Sequence, residues 1–124
     1  MHKHLGLIFL LLFTSALYAE DFLPCKTNLN SYSLEQGSYF KTCSLSDSKF
    51  IFRSVEIGKM GHTCNLKGTA VFDKKQYNYI KDKCAISFTP TERGMTVTYT
   101  NDCWYRNCGM QANWKSGEYK KTLP

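Results

Sequence analysis

Apolar and polar residues alternate along much of the chain after residue 20, a period typical of β-strands with one buried face. The strongest such segment is 49–57, in which phenylalanines occupy one face and aliphatic residues the other. Because both faces carry apolar side chains, we expect a central strand. Segments 38–43, 62–72 and 76–80 are also predicted strands, and Gly68 predicts a bulge or bend in the second of these three.

The clearest hairpin lies between residues 84 and 99. Segments 84–89 and 95–99 both have a period of two, and they flank a loop that contains proline and glycine. Cys84 lies on the apolar face of its strand, so we expect its sulfur in the core.

Two other segments are less regular. Residues 33–37 could form one turn of helix, whereas residues 110–115 alternate as a half-buried strand does and precede a Ser-Gly turn signal. No long segment with the period of a helix follows residue 20. The pattern predicts an all-β domain, a small antiparallel barrel or sandwich of about six to eight strands.

The first residues have the composition of a secretory signal peptide. A short basic start precedes the apolar run 5–13, which is too short to span a bilayer, and small residues follow it. We predict a signal peptide over residues 1–19, with cleavage after Ala19 or, alternatively, after Ala16. The product would be a single exported domain, residues 20–124, periplasmic or secreted and without a membrane anchor.

All six cysteines follow the predicted signal peptide. An even number in an exported chain predicts three disulfides that staple the domain, although six cysteines allow 15 pairings. Because the sequence contains no Cys-x-x-Cys pair, we expect neither a metal nor another cofactor. The pairs that we favour join neighbours in the sequence: Cys25 with Cys43, Cys64 with Cys84, and Cys103 with Cys108.

Fifteen basic and ten acidic residues follow residue 19, which gives a net charge of +5. Lysines interleaved with tyrosines could bind an anionic glycan or nucleic acid, the alternative function that we consider. The same lysines could instead protect an edge strand from aggregation, and we favour that interpretation. The candidate anion-binding residues are Lys74, Lys75, Tyr77, Tyr79, Lys81 and Lys83.

The residues do not predict an enzyme. His62 is the only histidine after residue 19, the carboxylates are scattered singly, and no Gly-x-Ser-x-Gly motif is present. We therefore predict no catalytic residues.

Trp104, Tyr105 and Arg106 are consecutive and lie between two cysteines. These three residue types are the ones most enriched in binding hot spots. If Cys103 and Cys108 pair with each other, the small loop would hold the three side chains ready for a partner. Alternatively, Trp104 folds back and plugs one end of the barrel.

The closing segment resembles a family pattern. It reads Cys103-x4-Cys108-Gly109-x2-Ala112-x-Trp114-x2-Gly117-x-Tyr119 and follows the His-Thr-Cys strand at 62–64. This pattern resembles that of small cysteine-rich periplasmic bacterial proteins, similar in fold and context to the bacterial lysozyme inhibitors. Those are small exported β-barrels that block the lysozyme cleft with a loop. Their Ser-Gly-x-x-Tyr motif, with a lysine nearby, is similar to Ser116-Gly117-Glu118-Tyr119, which has one residue fewer and adjoins Lys115.

The resemblance implies a protein that binds and inhibits a peptidoglycan hydrolase, as a lysozyme inhibitor or as an immunity protein against a cell-wall-degrading toxin. A protein partner is favoured over nucleic acid, and the sequence does not define the oligomeric state. The predicted protein-binding residues are Trp104, Tyr105, Arg106, Lys115, Ser116 and Tyr119.

Overall fold

The computed structural model describes Cys25 and residues 29–122. These residues form a closed barrel of eight antiparallel strands, in which each strand pairs with its sequence neighbours and β8 pairs with β1. The predicted signal peptide and its cleavage site lie outside the described residues. The strands are β1 Leu29–Glu35, β2 Ser38–Ser46, β3 Lys49–Ile57, β4 Thr63–Asp73, β5 Gln76–Lys81, β6 Cys84–Pro90, β7 Gly94–Tyr99 and β8 Gly117–Thr122.

The all-β prediction is confirmed, and the barrel is the form that it takes. Every predicted strand up to residue 99 is present, including the 84–99 hairpin. The helical turn suggested at 33–37 is wrong, because these residues end β1 and begin a tight turn. The strand predicted at 110–115 is also wrong. Burial does alternate from residue 111 to 115, with Ala112 and Trp114 buried, but Met110, which the pattern placed on the same face, is exposed.

Aromatic rings fill the barrel. The Phe88 ring lies at the centre of a cluster and contacts Phe40, Phe50 and Phe52 at centroid distances of 5.4, 5.3 and 4.9 Å. An eight-stranded barrel is just wide enough for side chains to fill it, so large rings suit this interior. The alternating phenylalanines of the sequence are therefore its core.

β3 shows how the barrel uses its two faces. Phe50, Phe52, Ser54 and Glu56 point inward and are buried. The opposite face lies on the outside of the barrel, where Ile57 is 52 % exposed. β3 pairs with β2 and β4 on its two edges, as expected of a central strand, but its outer face is not covered.

The barrel wall is open between β4 and β5. In the described chain, β4 pairs with β3 through residues 63–71, but it pairs with β5 only through residues 71–73. Gly68 lies where the two strands separate. The β3–β4 register continues unbroken through it, so the predicted bulge is wrong. A Cβ atom at Gly68 would collide with the Tyr79 ring, which explains why glycine occupies the position.

The connection between β7 and β8, residues 100–116, closes one end of the barrel, and we call it the cap segment. Its Trp114 ring is 8 % exposed and stacks on Tyr99 at a centroid distance of 4.9 Å. The Trp114 indole N–H also donates a hydrogen bond to the Cys103 carbonyl at 2.9 Å. The alternative that Trp104 plugs the barrel is therefore wrong, because Trp114 fills that place and Trp104 remains 38 % exposed. Within residues 29–122, no helix has the length and apolar character needed to cross a membrane.

The two tryptophans should differ in their contribution to stability. We expect Trp114→Ala to lower the free energy of unfolding by about 3–5 kcal/mol, because it removes a buried ring and leaves a cavity. Trp104→Ala, the matched control, should cost clearly less. Urea unfolding of both variants tests this, and an equal or larger cost at Trp104 would contradict the assignment of Trp114 as the plug.

Candidate functional site

Three disulfides staple the described chain. The prediction of a first pair between Cys25 and Cys43 is confirmed, whereas the other two predicted pairs are wrong. Cys103 and Cys108 do not pair with each other, because each reaches a different barrel strand across the opening between β4 and β5. The observed pairs are Cys25–Cys43, Cys64–Cys108 and Cys84–Cys103.

The loop 103–108 is consequently held at both ends. One end is bonded to β6 through Cys84, and the other to β4 through Cys64. Asn107 ties the loop from within: its side-chain amide donates to the Cys103 carbonyl at 3.0 Å. The loop therefore has a defined shape before any partner binds.

Three adjacent side chains project from this loop. Trp104 is 38 % exposed, and its indole N–H donates to the Ala112 carbonyl at 2.9 Å. Tyr105 is 65 % exposed, and the Arg106 guanidinium lies over its ring, 5.4 Å from the centroid. Trp104, Tyr105 and Arg106 thus form an exposed surface with apolar, aromatic and cationic character, which we call the loop surface.

The backbone of Arg106 is unusual. Its φ of 68° lies in the left-handed region, which a long side chain occupies only at a cost of about 1–3 kcal/mol. The two disulfides and the loop hydrogen bonds maintain this conformation. Backbone conformations of this kind concentrate at binding and catalytic sites.

The other three predicted protein-binding residues are placed differently. Tyr119 is 1 % exposed and its hydroxyl donates to the Lys115 carbonyl at 2.6 Å, so its prediction as a contact residue is wrong. Tyr119 occupies a position of β8 whose side chain points into the barrel, and this buries the ring. Ser116 is exposed, but its hydroxyl oxygen accepts the Tyr99 backbone N–H at 2.9 Å. Lys115 is exposed and forms an ion pair with Glu35.

A polar cluster that the sequence reasoning missed lies inside the capped end. Glu56 is 2 % exposed; its Oε1 accepts the Ser38 hydroxyl at 2.6 Å and lies 3.6 Å from Lys115 Nζ. Its Oε2 is buried without a hydrogen-bond partner among the described residues. Burial is the main reason that the pKa of Glu56 is raised above its usual value. The sequence did contain a signal for this burial: Glu56 lies an even number of residues from Phe50 and Phe52 in β3, so its side chain points to the same, inner face.

A cleft of about 470 Å³ occupies the opening between β4 and β5 and adjoins the loop surface. Its floor is formed by Leu66, Tyr79 and Cys84. Charged and polar side chains surround the floor. They are Lys67, Lys81, Asp82, Lys83, Asp102, Tyr105, Arg106 and Asn107.

The six predicted anion-binding residues do not form one face. Tyr77 and Tyr79 point inward, where they contact Phe50 and Phe52 at 4.6 and 5.2 Å between ring centroids. Lys74 and Lys75 lie in the β4–β5 turn at the opposite end of the barrel, whereas Lys81 and Lys83 line the cleft. Strand parity is the physical reason, since the tyrosines alternate inward and the lysines lie in turns or point outward.

Two other kinds of site were considered in the sequence, a catalytic histidine and a metal site. His62 packs against Gly109, because a Cβ there would come within 2.9 Å of His62 Nδ1. No group of three or more histidine, cysteine or acidic side chains within Cys25 and residues 29–122 is arranged to hold a metal ion.

Comparison of the chain with protein-family models, curated proteins and solved structures gives no match. The resemblance to the lysozyme inhibitors thus rests on sequence motifs. The structure changes the meaning of one of them, because Tyr119 lies in the core and Ser116 is bonded to the barrel. The loop surface is the candidate protein-binding site, and the cleft lies beside it.

The buried carboxyl of Glu56 should make stability depend on pH. A carboxyl whose pKa is raised by folding stabilises the native state most below its usual value of 4.5, and this contribution is lost as the pH rises through the native pKa. The unfolding free energy of the wild type, minus that of Glu56→Gln, should therefore increase as the pH falls from neutral to about 4.5. Urea unfolding across this range measures it. Glu118→Gln, at an exposed carboxylate, is the matched control, and a difference for Glu56→Gln that stays flat would contradict the prediction.

Proposed function

We propose that the protein is an exported inhibitor that binds another protein through the loop surface and has no reaction of its own. The observation that carries the proposal is the exposure of Trp104, Tyr105 and Arg106 on a loop whose two ends are bonded to different strands. Tryptophan, tyrosine and arginine are the residues most enriched in binding hot spots.

Preorganisation is what makes this surface suitable for tight binding. A flexible loop loses conformational freedom on binding, at about 0.5–1.5 kcal/mol for each immobilised side chain. Here the Trp104 indole is already hydrogen-bonded to Ala112, and Arg106 already lies over Tyr105. Most of the binding free energy of new contacts would therefore remain available for affinity.

The partner class that we propose is a peptidoglycan hydrolase, of the lysozyme or cell-wall toxin type. Enzymes that hydrolyse glycosidic bonds place a pair of carboxylates in the substrate cleft. An arginine guanidinium forms paired, charge-assisted hydrogen bonds with a carboxylate, and the neighbouring Trp104 and Tyr105 rings could occupy sugar-binding positions of such a cleft. In this protein, Arg106 is the residue that we propose contacts the catalytic carboxylates of the partner.

Export fits the same proposal. Three disulfides are stable in an oxidising compartment and are uncommon in reducing cytoplasm. The composition of residues 1–19 is that of a signal peptide. A periplasmic or secreted inhibitor would meet hydrolases that act on the cell wall.

The test is inhibition of a panel of lysozymes and other peptidoglycan hydrolases by the oxidised protein. With the enzyme that is inhibited, we expect Arg106→Ala to weaken binding by roughly 1 kcal/mol or more, as measured by calorimetry. Arg93→Ala, which removes an exposed arginine at the opposite end of the barrel, is the matched control and should leave affinity unchanged.

Two results would reject the proposal. One is the absence of inhibition across the panel together with the absence of any captured hydrolase from envelope extracts. The other is an inhibited enzyme whose affinity changes by less than about 0.5 kcal/mol in each of Trp104→Ala, Tyr105→Ala and Arg106→Ala.

A further inference from the structure

We propose that the cleft between β4 and β5 is a binding site for a small phosphorylated sugar, a function additional to protein binding by the loop surface, with which the cleft shares Tyr105 and Arg106. The proposal rests on three features of the described chain: the separation of two strands, a set of cations without acidic partners, and backbone groups left without a ladder partner.

The cleft exists because the barrel wall is incomplete. β5 continues its pairing with β6 as far as Lys81, and β4 continues with β3 as far as Thr63, but the two strands pair with each other only at residues 71–73. The chain near Asn107 fills the outermost part of the gap, since Asn65 N–H donates to the Asn107 carbonyl at 2.9 Å. The space that remains, about 470 Å³, is within the usual range for small-molecule sites of roughly 300–1,000 Å³.

Positive charge dominates the walls of the cleft. Four cationic side chains and two carboxylates line it. In the part of the chain that the structure describes, the ion pairs involve Lys115, and none joins a cleft cation to an acidic side chain. The cleft cations are therefore available to an anion. They are Lys67, Lys81, Lys83 and Arg106.

The open edge of β4 adds backbone donors and acceptors. Asn65 directs its N–H away from β3 and towards the gap, and residues two and four positions further along share that direction. Lys67 and Thr69 therefore present their N–H and C=O groups to the gap, beyond the reach of the β4–β5 pairing at 71–73.

These groups indicate the class of ligand. Lysine ammonium, arginine guanidinium and free backbone N–H groups bind phosphate oxygens, whereas strand carbonyls and the carboxylates of Asp82 and Asp102 accept hydrogen bonds from hydroxyls. Tyr79 and Leu66 supply an apolar floor for a ring. A ligand with both phosphates and hydroxyls, on a ring that fits this volume, uses all three kinds of group.

Calorimetric titration of the oxidised protein with glucose 1,6-bisphosphate tests the proposal, with glucose and inorganic pyrophosphate as comparison ligands. We expect binding of one bisphosphate per chain that weakens as salt is added, no detectable binding of glucose, and weaker binding of pyrophosphate. In an amide NMR spectrum, the signals of Lys67 and Thr69 should move during the titration.

Variants make the test specific. A double variant with Lys67→Gln and Lys83→Gln should bind the bisphosphate more weakly, by roughly tenfold for each lysine removed. The pair Lys74→Gln and Lys75→Gln changes the net charge equally at the opposite end of the barrel and should have little effect. Since none of these residues lies in the loop surface, inhibition of a hydrolase should be the same in both double variants. Failure of this proposal can thus be distinguished from failure of the protein-binding proposal.

Three results would overturn the site. They are no binding of the bisphosphate at millimolar concentration, equal weakening in the two double variants, and NMR changes centred on Lys74 and Lys75. Pyrophosphate binding as tight as that of the bisphosphate would overturn the assignment to a sugar.

Discussion

Two disulfides hold the cap segment across the open side of the barrel, and the other features of the capped end depend on them. Cys84–Cys103 and Cys64–Cys108 close loops with sequence separations of 19 and 44 residues. A disulfide that closes a loop of this size raises the free energy of unfolding by about 3–4 kcal/mol, because it restricts the unfolded chain. The bonded cysteines fix the start of the cap segment on β6 and its middle on β4. Trp114 is thereby brought onto Tyr99, and the loop surface is turned outward.

The same constraint explains why the barrel can have an incomplete wall. The β4–β5 ladder is short, so hydrogen bonds that would normally close the sheet are missing on this side. The bridge between Cys64 and Cys108 and the bond from Asn65 to Asn107 replace part of that ladder. The remaining gap leaves the cleft beside the loop surface. A stable scaffold and a candidate site therefore have one structural origin.

The buried carboxyl of Glu56 is the opposite kind of feature, because it costs stability. Burying a charged group without full hydrogen bonding is unfavourable, and Oε2 is left without a partner in the described chain. Ser38 and Lys115 offset part of this cost. Lys115 belongs to the cap segment, so Glu56 and Glu35 both connect the barrel electrostatically to its cap.

Much of the fold could be predicted from the sequence because alternation is a local signal. Strands with a strong period, such as 49–57, are present as predicted. β1 and β8 were missed because their sequences are largely polar, and each buries few large side chains. They are strands because barrel closure pairs them with each other and with their neighbours, and that pairing is not local.

The candidate site was only partly predictable for the same reason. Trp104, Tyr105 and Arg106 are exposed, as a binding surface requires. The cysteine pairing was wrong because spacing in the sequence does not reveal which strand edges a long connection crosses. The cleft was missed because it depends on where β4 and β5 separate, which is a property of the closed barrel.

The most direct test of this description is the disulfide map of the oxidised protein. Protease digestion without reduction, followed by mass spectrometry, identifies which cysteine-containing peptides are joined. The structure predicts peptides linked through Cys64–Cys108 and Cys84–Cys103. Peptides linked through Cys64–Cys84, with Cys103 bonded to Cys108, would contradict it, because the loop surface would then not be bonded to β4 and β6.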